Sequence, residues 1–484
     1  LADEDALEPE AARKRILVME ENHAGRRGTV WAELGYAPLA KSLGHLASAA
    51  RACAEFPLNG GLMKDFEDGY VGGGWMADEG AIQALAELAH AGHDSYQAVV
   101  GALRAFYAPW VDLSAERLQE TAATEGYPGG RLSVDVVPEY APGDCILFVD
   151  GLRFDVAKRL ETYLADDGLK VSETPVWAAL PSVTATGKYA VAPVRELYSG
   201  AEAGTALEPS IGGTGAKLSS ERLHDLLKSE GWTVFKEATD WDGEKRGWCE
   251  RGDIDSLGHK MQAKLATSLK DILIDISTLI GDLFGKGWKR VFVVTDHGWL
   301  LIPGEGLRKT ELKCAVAEDK ASRFGSVLPG AQVPHTRLPW HWNPNRFFAY
   351  ANGSSCFKAG EHYAHGGLSL QECLTLRLEV RPGDEAPGKK LEFQLEPNWN
   401  KGCLTVFADG DATGMSLDIR TDYRDPKTSV MECFEEFKSV TKEGKRLWRG
   451  IVWIQNSNQK GKKVFVVVIG KNGLIVRYEP IVVG

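Results

Sequence analysis

The chain has 484 residues, with 56 Lys and Arg against 67 Asp and Glu and a formal net charge of −11. Hydrophobic residues make up 44% and charged residues 25%, which excludes an intrinsically disordered chain and supplies cores for about three domains. The longest apolar runs, Cys145–Val149 and Val464–Ile469, are strand-length, far short of the roughly 20 residues of a spanning helix.

Residues 1–125 predict a helical domain. Apolar residues recur at helical spacing over Tyr36–Phe56 and Ala81–Tyr107. The glycines of Val71-Gly-Gly-Gly-Trp75 predict a loop, without the Lys-Ser/Thr ending of a phosphate-binding P-loop. At Tyr127-Pro-Gly-Gly130 the pattern changes, and residues 126–380 alternate apolar runs with helical stretches. Cys145–Asp150 predicts a buried strand, followed by a helix from Arg153 to Leu164. Residues 196–247 read as an insertion holding one helix, Ser220–Glu230. Leu265, Leu269, Ile272, Ile276, Leu279, Ile280 and Leu283 form one face of a long helix that Gly285-Lys-Gly287 ends. Arg290–Asp296 then predicts another buried strand. Such strands between helices predict a parallel α/β sheet covered on both faces.

Arg381–Gly388 has the Pro and Gly content of a linker. Residues 381–484 predict a small all-β domain, a sandwich or barrel. Its strands are Leu391–Leu395, Leu404–Ala408, Met415–Arg420, Gly450–Gln455, Lys463–Ile469 and Leu474–Tyr478. Residues 437–463 carry eight basic side chains against Glu443 alone, with Trp448 and Trp453 interleaved. This stripe suits a phosphate backbone or, equally, a solvated strand edge. The eight cysteines include no Cys-x-x-Cys pair, which argues against a disulfide framework and a thiolate zinc knuckle. A reducing, cytoplasmic setting is expected. The opening Leu-Ala-Asp-Glu-Asp shows neither an initiator Met nor a signal pattern and reads as a fragment of a longer protein.

Chemistry gathers in five places. Asp150 ends a strand, where α/β folds collect ligands and where Asp also caps helices. Pro181-Ser-Val-Thr-Ala-Thr-Gly-Lys188 is rich in hydroxyls. Asp255 and His259, at i and i+4, share one helix face and suit one metal ion. Thr295-Asp-His-Gly298 follows a strand, and His365-Gly-Gly367 supplies a further imidazole. Each has a bland reading as turn, cap or surface residue. As a set they give oxygen and nitrogen donors without thiols, which suits two zinc ions, or zinc and manganese, acting on a phosphoester. His335, His341 and His362 are candidate pocket residues. Pro339–Pro344 reads as a base-stacking or a packed aromatic loop. His23, His45, His90, His93 and His224 read as structural.

Taken together, Asp150-Gly-Leu-Arg153, Leu180-Pro-Ser-Val-Thr-Ala-Thr-Gly187, Asp255-Ser-Leu-Gly-His259, Thr295-Asp-His-Gly-Trp-Leu300 and His365-Gly-Gly-Leu-Ser-Leu-Gln-Glu372 resemble the alkaline phosphatase superfamily. Within it they are similar to the PglZ proteins of BREX bacteriophage-resistance systems. The resemblance covers about residues 126–380. It implies an alkaline-phosphatase-like core and a metal-dependent phosphoester hydrolase of phage defence, either phosphodiesterase/nuclease or phosphatase. It also implies two divalent ions (zinc, with manganese or magnesium as alternatives), a phosphoester, nucleotide or nucleic-acid substrate, and other BREX proteins as partners. By position, Thr184 would be the nucleophile, with Asp150, Asp296 and His297 around one metal and Asp255, His259 and His365 around the other. Lys188 would reach the phosphoryl oxygens or stand solvated on its helix, Arg153 would do the same or pack the helix start, and Thr186 is a second candidate hydroxyl. No Cys- or Ser-x-Pro-x-Arg sulfatase motif occurs. Ala185-Thr-Gly-Lys188 replaces the Pro-Asn usual soon after a phosphodiesterase nucleophile. The rival reading is a non-catalytic or partner-activated scaffold.

Overall fold

The computed structural model describes residues 8–484 except 30–31, 33–36, 90, 130–138, 202–205, 213–214, 313–321, 329, 332–336, 384–392, 424, 443, 455–458 and 471–474. His90, His335 and most of the expected 381–388 linker lie outside the described residues. The chain divides into two compact units, residues 1–383 and 384–484.

Among the described residues, five α-helices open the first unit: α1 (Pro9–His23), α2 (Pro38–Glu55), α3 (Met63–Gly69), α4 (Trp75–Ala86) and α5 (His93–Glu125). The glycines expected as a loop instead make a tight π-type turn, Tyr70–Gly74, that carries the chain from α3 into α4. Gly73 has φ of 156°, and a Cβ there would lie 2.4 Å from the Phe56 ring. The periodic stretch Ala81–Tyr107 is interrupted between α4 and α5. These helices share one buried apolar core with the sheet that follows. Fully buried Asp78 on α4 accepts hydrogen bonds from Tyr107 Oη (2.5 Å), Tyr70 Oη (2.8 Å) and Gln371 Nε2 (3.2 Å). The last of these ties the helices to the short helical turn Leu370–Cys373 that follows His365.

The central sheet contains β1 (Asp144–Asp150), β2 (Lys170–Trp177), β3 (Trp232–Phe235), β4 (Arg246–Asp253), β5 (Arg290–Val294) and β6 (Leu374–Arg381), in the order β2-β6-β5-β1-β4-β3. β1 runs parallel to β4 and β5, and β3 parallel to β4. β6 runs antiparallel to both β5 and β2, so the sheet is mixed rather than parallel throughout. Its direction follows from its connection. The chain leaves β5 at the sheet's carboxyl edge and enters β6 from the short helix Leu370–Cys373, without a crossover to the other end.

Four helices carry or flank the motif residues: α6 (Phe154–Asp166), α7 (Thr184–Val191), α8 (Ser220–Ser229) and α9 (Ile254–Met261). The long helix expected from Leu265 begins later. Gln262–Thr267 is a 3₁₀ stretch, and α10 spans Leu269–Gly285 with Leu269, Leu273, Ile276, Ile280 and Leu283 buried.

The second unit contains β7 (Phe393–Asn398), β8 (Cys403–Ala408), β9 (Ser416–Arg420), β10 (Met431–Lys442), β11 (Lys445–Ile454), β12 (Lys463–Ile469) and β13 (Ile475–Val482). They form two sheets, β7-β8-β11-β10 and β9-β12-β13. Leu404, Val406 and Val452 of the first meet Leu417, Ile419, Val464 and Val466 of the second in one buried cluster, as in a β-sandwich.

Candidate metal centre

β1 ends on Asp150, β5 runs into Thr295-Asp-His-Gly298, and Thr184 is the first residue of α7. Thr184 Oγ1 lies 3.3 Å from Asp150 Oδ1 and 3.3 Å from His297 Nε2. His297 Nε2 is 3.8 Å from Asp150 Oδ1 and 3.6 Å from Asp296 Oδ2. His297 Nδ1 sits 2.9 Å from the Gly298 carbonyl, which assigns it the ring proton and leaves Nε2 a lone pair facing the carboxylates. Asp296 Oδ1 accepts from the Gly151 and His297 amides, while buried Asp296 Oδ2 has no hydrogen-bond partner. Such an orphaned acceptor is costly unless a cation meets it.

A second cluster stands beside the first, with the His365 ring stacked on His297 at 4.1 Å between centroids. His365 Nε2 is 3.0 Å from His259 Nε2 and 3.1 Å from Asp255 Oδ1, and His259 Nε2 is 3.6 Å from the same oxygen. His365 Nδ1 faces the Ser182 carbonyl at 3.1 Å, so its proton belongs there. Two ring nitrogens and a carboxylate oxygen then converge, an arrangement that a shared cation, whether proton or metal, would satisfy. In each cluster (Asp150, Asp296 and His297; Asp255, His259 and His365) the ligand atoms lie within 4.8 Å of one another. The residues fit divalent ions with oxygen and nitrogen coordination.

Burial, then the charge of Asp296, pushes the pKa of Asp150 up to about 8. Burial pushes Asp296 to about 6. Burial, then His365, pulls His297 down to about 4. Burial opposes a charged His365, yet the hydrogen bond and charge of Asp255 outweigh it and raise this histidine to about 9. In the same exchange Asp255 is held below the usual carboxylate range despite its burial.

The other candidates lie elsewhere. Thr186 is fully buried and accepts from Trp340 Nε1 at 3.2 Å, and Trp342 Nε1 donates to the Thr186 carbonyl. Trp340 and Trp342 are therefore packing residues that brace α7. Lys188 Nζ is bound to Glu250 (2.9 Å) and Ser220 Oγ (3.2 Å), and Glu250 also accepts from Trp248 and contacts His224 Nε2. Arg153 is fully buried, bidentate to Asp155 at 2.6 and 2.7 Å, with its guanidinium 4.0 Å from the centre of the Trp299 ring. It holds the start of α6. His362 Nδ1 faces the Ile302 carbonyl. Two contributors carried no signal in the sequence. Tyr363 Oη donates to Asp255 Oδ1 at 2.8 Å. Gln262, at φ 52°, accepts from the His362 and Tyr363 amides and donates to the His259 carbonyl.

No protein-family model matches the chain, and no curated protein matches it. Among solved structures, one that aligns is murine ectonucleotide pyrophosphatase/phosphodiesterase 5, an inactive form in complex with AMP. It is 10% identical, with a TM-score of 0.34, over 50% of this chain and 88% of that chain. At that TM-score the likeness assigns this chain neither fold nor function. Among the described residues no helix is long and apolar enough to cross a membrane.

Proposed function

We propose that the chain is a divalent-metal-dependent phosphoester hydrolase whose nucleophile is Thr184. The observation that carries this reading is the Thr184 hydroxyl, set at a helix N-terminus between Asp150 and His297 and beside two converging groups of acceptor atoms. Asp150, Asp296 and His297, with Thr184, would hold one ion, and Asp255, His259 and His365 the other. Bound there, divalent ions neutralise phosphoryl charge and favour ionised hydroxyl and water.

Thr184 Oγ1 attacks phosphorus in line. Its proton passes to Asp150 Oδ1, an oxygen–phosphorus bond forms, and the bond to the leaving alkoxide breaks. The leaving alkoxide takes a proton from solvent; water then attacks phosphorus, the threonine oxygen–phosphorus bond breaks, and Thr184 recovers its proton from Asp150. The positive end of α7 faces the developing charge on Thr184. Lys188 acts through Glu250 to anchor α7. A phosphodiester or nucleotide-type substrate, and a place beside other BREX proteins in phage defence, rest on the motif resemblance alone.

The test is hydrolysis of nitrophenyl mono- and bis-phosphates by the metal-loaded protein, with zinc, manganese or magnesium, and by the chelated protein. Wild type should turn over only with metal. Thr184→Ala should retain both ions, because Asp150, Asp296 and His297 remain at its site, and lose at least about 10³-fold in kcat. Equal rates after chelation, or full activity in Thr184→Ala, would refute the proposal.

A further inference from the structure

The basic stripe of the C-terminal unit is sorted by strand register. On β11, Gly450, Val452 and Ile454 are buried, and Val452 and Ile454 belong to the sandwich core. The alternate positions 445, 447, 449, 451 and 453 therefore face the other way. β10 pairs Lys438 with Arg449 and Lys442 with Lys445, and facing residues on paired strands share a side. Lys438, Lys442, Lys445 and Arg449 thus stand together on the sheet face turned away from the core. Arg446, paired with Thr441, is on the opposite side, where it donates to Ser439.

Two cross-strand pairs of like charge on one face, Lys438–Arg449 and Lys442–Lys445 with Val440–Leu447 between them, cost stability. Glu435 and Glu396 answer two of the four cations, by pairing with Lys438 and Lys442. Lys445 has no ion pair among the described residues. Arg449 has none either, and its buried Nε lacks a hydrogen-bond partner. Two aromatic rings, buried Phe407 and half-buried Trp453, complete the face. Phe407 lies across from Arg449, and Lys442 Nζ sits 4.2 Å from its ring centre. Trp453 is on the same side, two pairs further along β11.

We infer that this face binds a single nucleic-acid strand, its phosphates on Lys438, Lys442, Lys445 and Arg449 and a base against Trp453. Adjacent like charges that repel one another are relieved by a polyanion, and base–aromatic stacking adds sequence-tolerant affinity. The inference is independent of Thr184, because it concerns binding by the second unit alone.

The experiment is fluorescence anisotropy with the full chain and a labelled oligothymidylate of about 20 nucleotides. Chelator is present throughout, so hydrolysis plays no part. Four phosphate contacts predict a slope of about −3 in log affinity against log salt. K438Q/K445Q/R449Q should weaken binding by about 10-fold or more at moderate salt. R446Q removes the same charge from the other side of β11 and should change affinity less than about twofold. Trp453→Ala should weaken the single strand more than a duplex of the same length. Should the triple variant unfold, K438E decides, because that side chain is 68% exposed. Overturning results are a salt-independent signal, a loss in R446Q as large as in the triple variant, or displacement by polyaspartate as effective as by oligonucleotide. Any of these would leave the hydrolase proposal untouched.

Discussion

Two hydroxyls on α7, two residues apart, stand in opposite situations. Thr184 faces Asp150 and His297, whereas Thr186 is sealed beneath Trp340 and Trp342. Thr186→Val should therefore act on stability, leaving the Trp340 N–H unsatisfied at a cost of about 1–3 kcal/mol. Its turnover per folded molecule should match wild type, as urea unfolding and steady-state rates can measure together. An inactive yet fully stable Thr186→Val would transfer the nucleophile's role to Thr186. Asp296 carries a different expectation. Its buried Oδ2 is the acceptor left open for a cation, so Asp296→Asn keeps the shape and removes the charge. Bound metal, counted by plasma emission on dialysed protein, should fall from two equivalents to one, with turnover lost. Two equivalents in the variant would exclude Asp296 as a ligand.

The elements that carry these side chains meet because glycines leave room for them. A Cβ at Gly298 would lie 2.1 Å from the Gln371 carbonyl and 3.0 Å from Arg153 Cγ, and one at Gly187 would lie 2.6 Å from the Asp296 carbonyl. At Gly258 it would strike the Tyr363 ring at 2.3 Å. Gly298→Ala should cost about 1–3 kcal/mol by overpacking and weaken metal binding, since the loop bearing Asp296 and His297 must shift. Isothermal titration with zinc checks this, and an unchanged affinity would show that the loop absorbs the methyl group. These glycines lie inside the motif phrases, so the site was legible wherever sequence neighbours supply it: Asp150, Asp296-His297 and the α9 pair Asp255 and His259. What sequence reading lacked were groups brought in by the fold. The expected parallel sheet is mixed because the reversed direction of β6 is a property of its connection, which local sequence does not encode. β10 was hidden because Glu432, Glu435, Glu436 and Lys438 obscure alternation on a strand at the sheet's edge. Tyr363 and Gln262 act through contacts about 100 residues away in sequence, and local spacing carries no trace of them.

Across the whole molecule, the converging ligand groups make stability depend on both metal and pH, and the sign follows from which state holds protons. Asp150 is raised by burial and then by Asp296, from an ordinary value of 3.8 to about 8. His365 is raised from 6.5 to about 9, as Asp255 outweighs burial. In both cases the folded chain keeps a proton that the unfolded chain has released, so stability falls as pH rises through that interval. His297 is lowered by burial to about 4 and works in the opposite direction, but its contribution is complete once pH exceeds 6.5. Between pH 6.5 and 8 the falling contributions of Asp150 and His365 are no longer opposed by His297. The metal-free protein should therefore lose several degrees of melting temperature across that window. Divalent ions bind the deprotonated groups, so their affinity should rise over the same interval, and the stabilisation they confer with it. Thermal unfolding in chelator and in excess manganese, at matched pH values, gives both curves. The gap between them should widen from pH 6.5 to 8, and Asp150→Asn should flatten the metal-free curve. A constant gap, or a metal-free protein that gains stability as pH rises, would mean that no cation is shared at these two clusters.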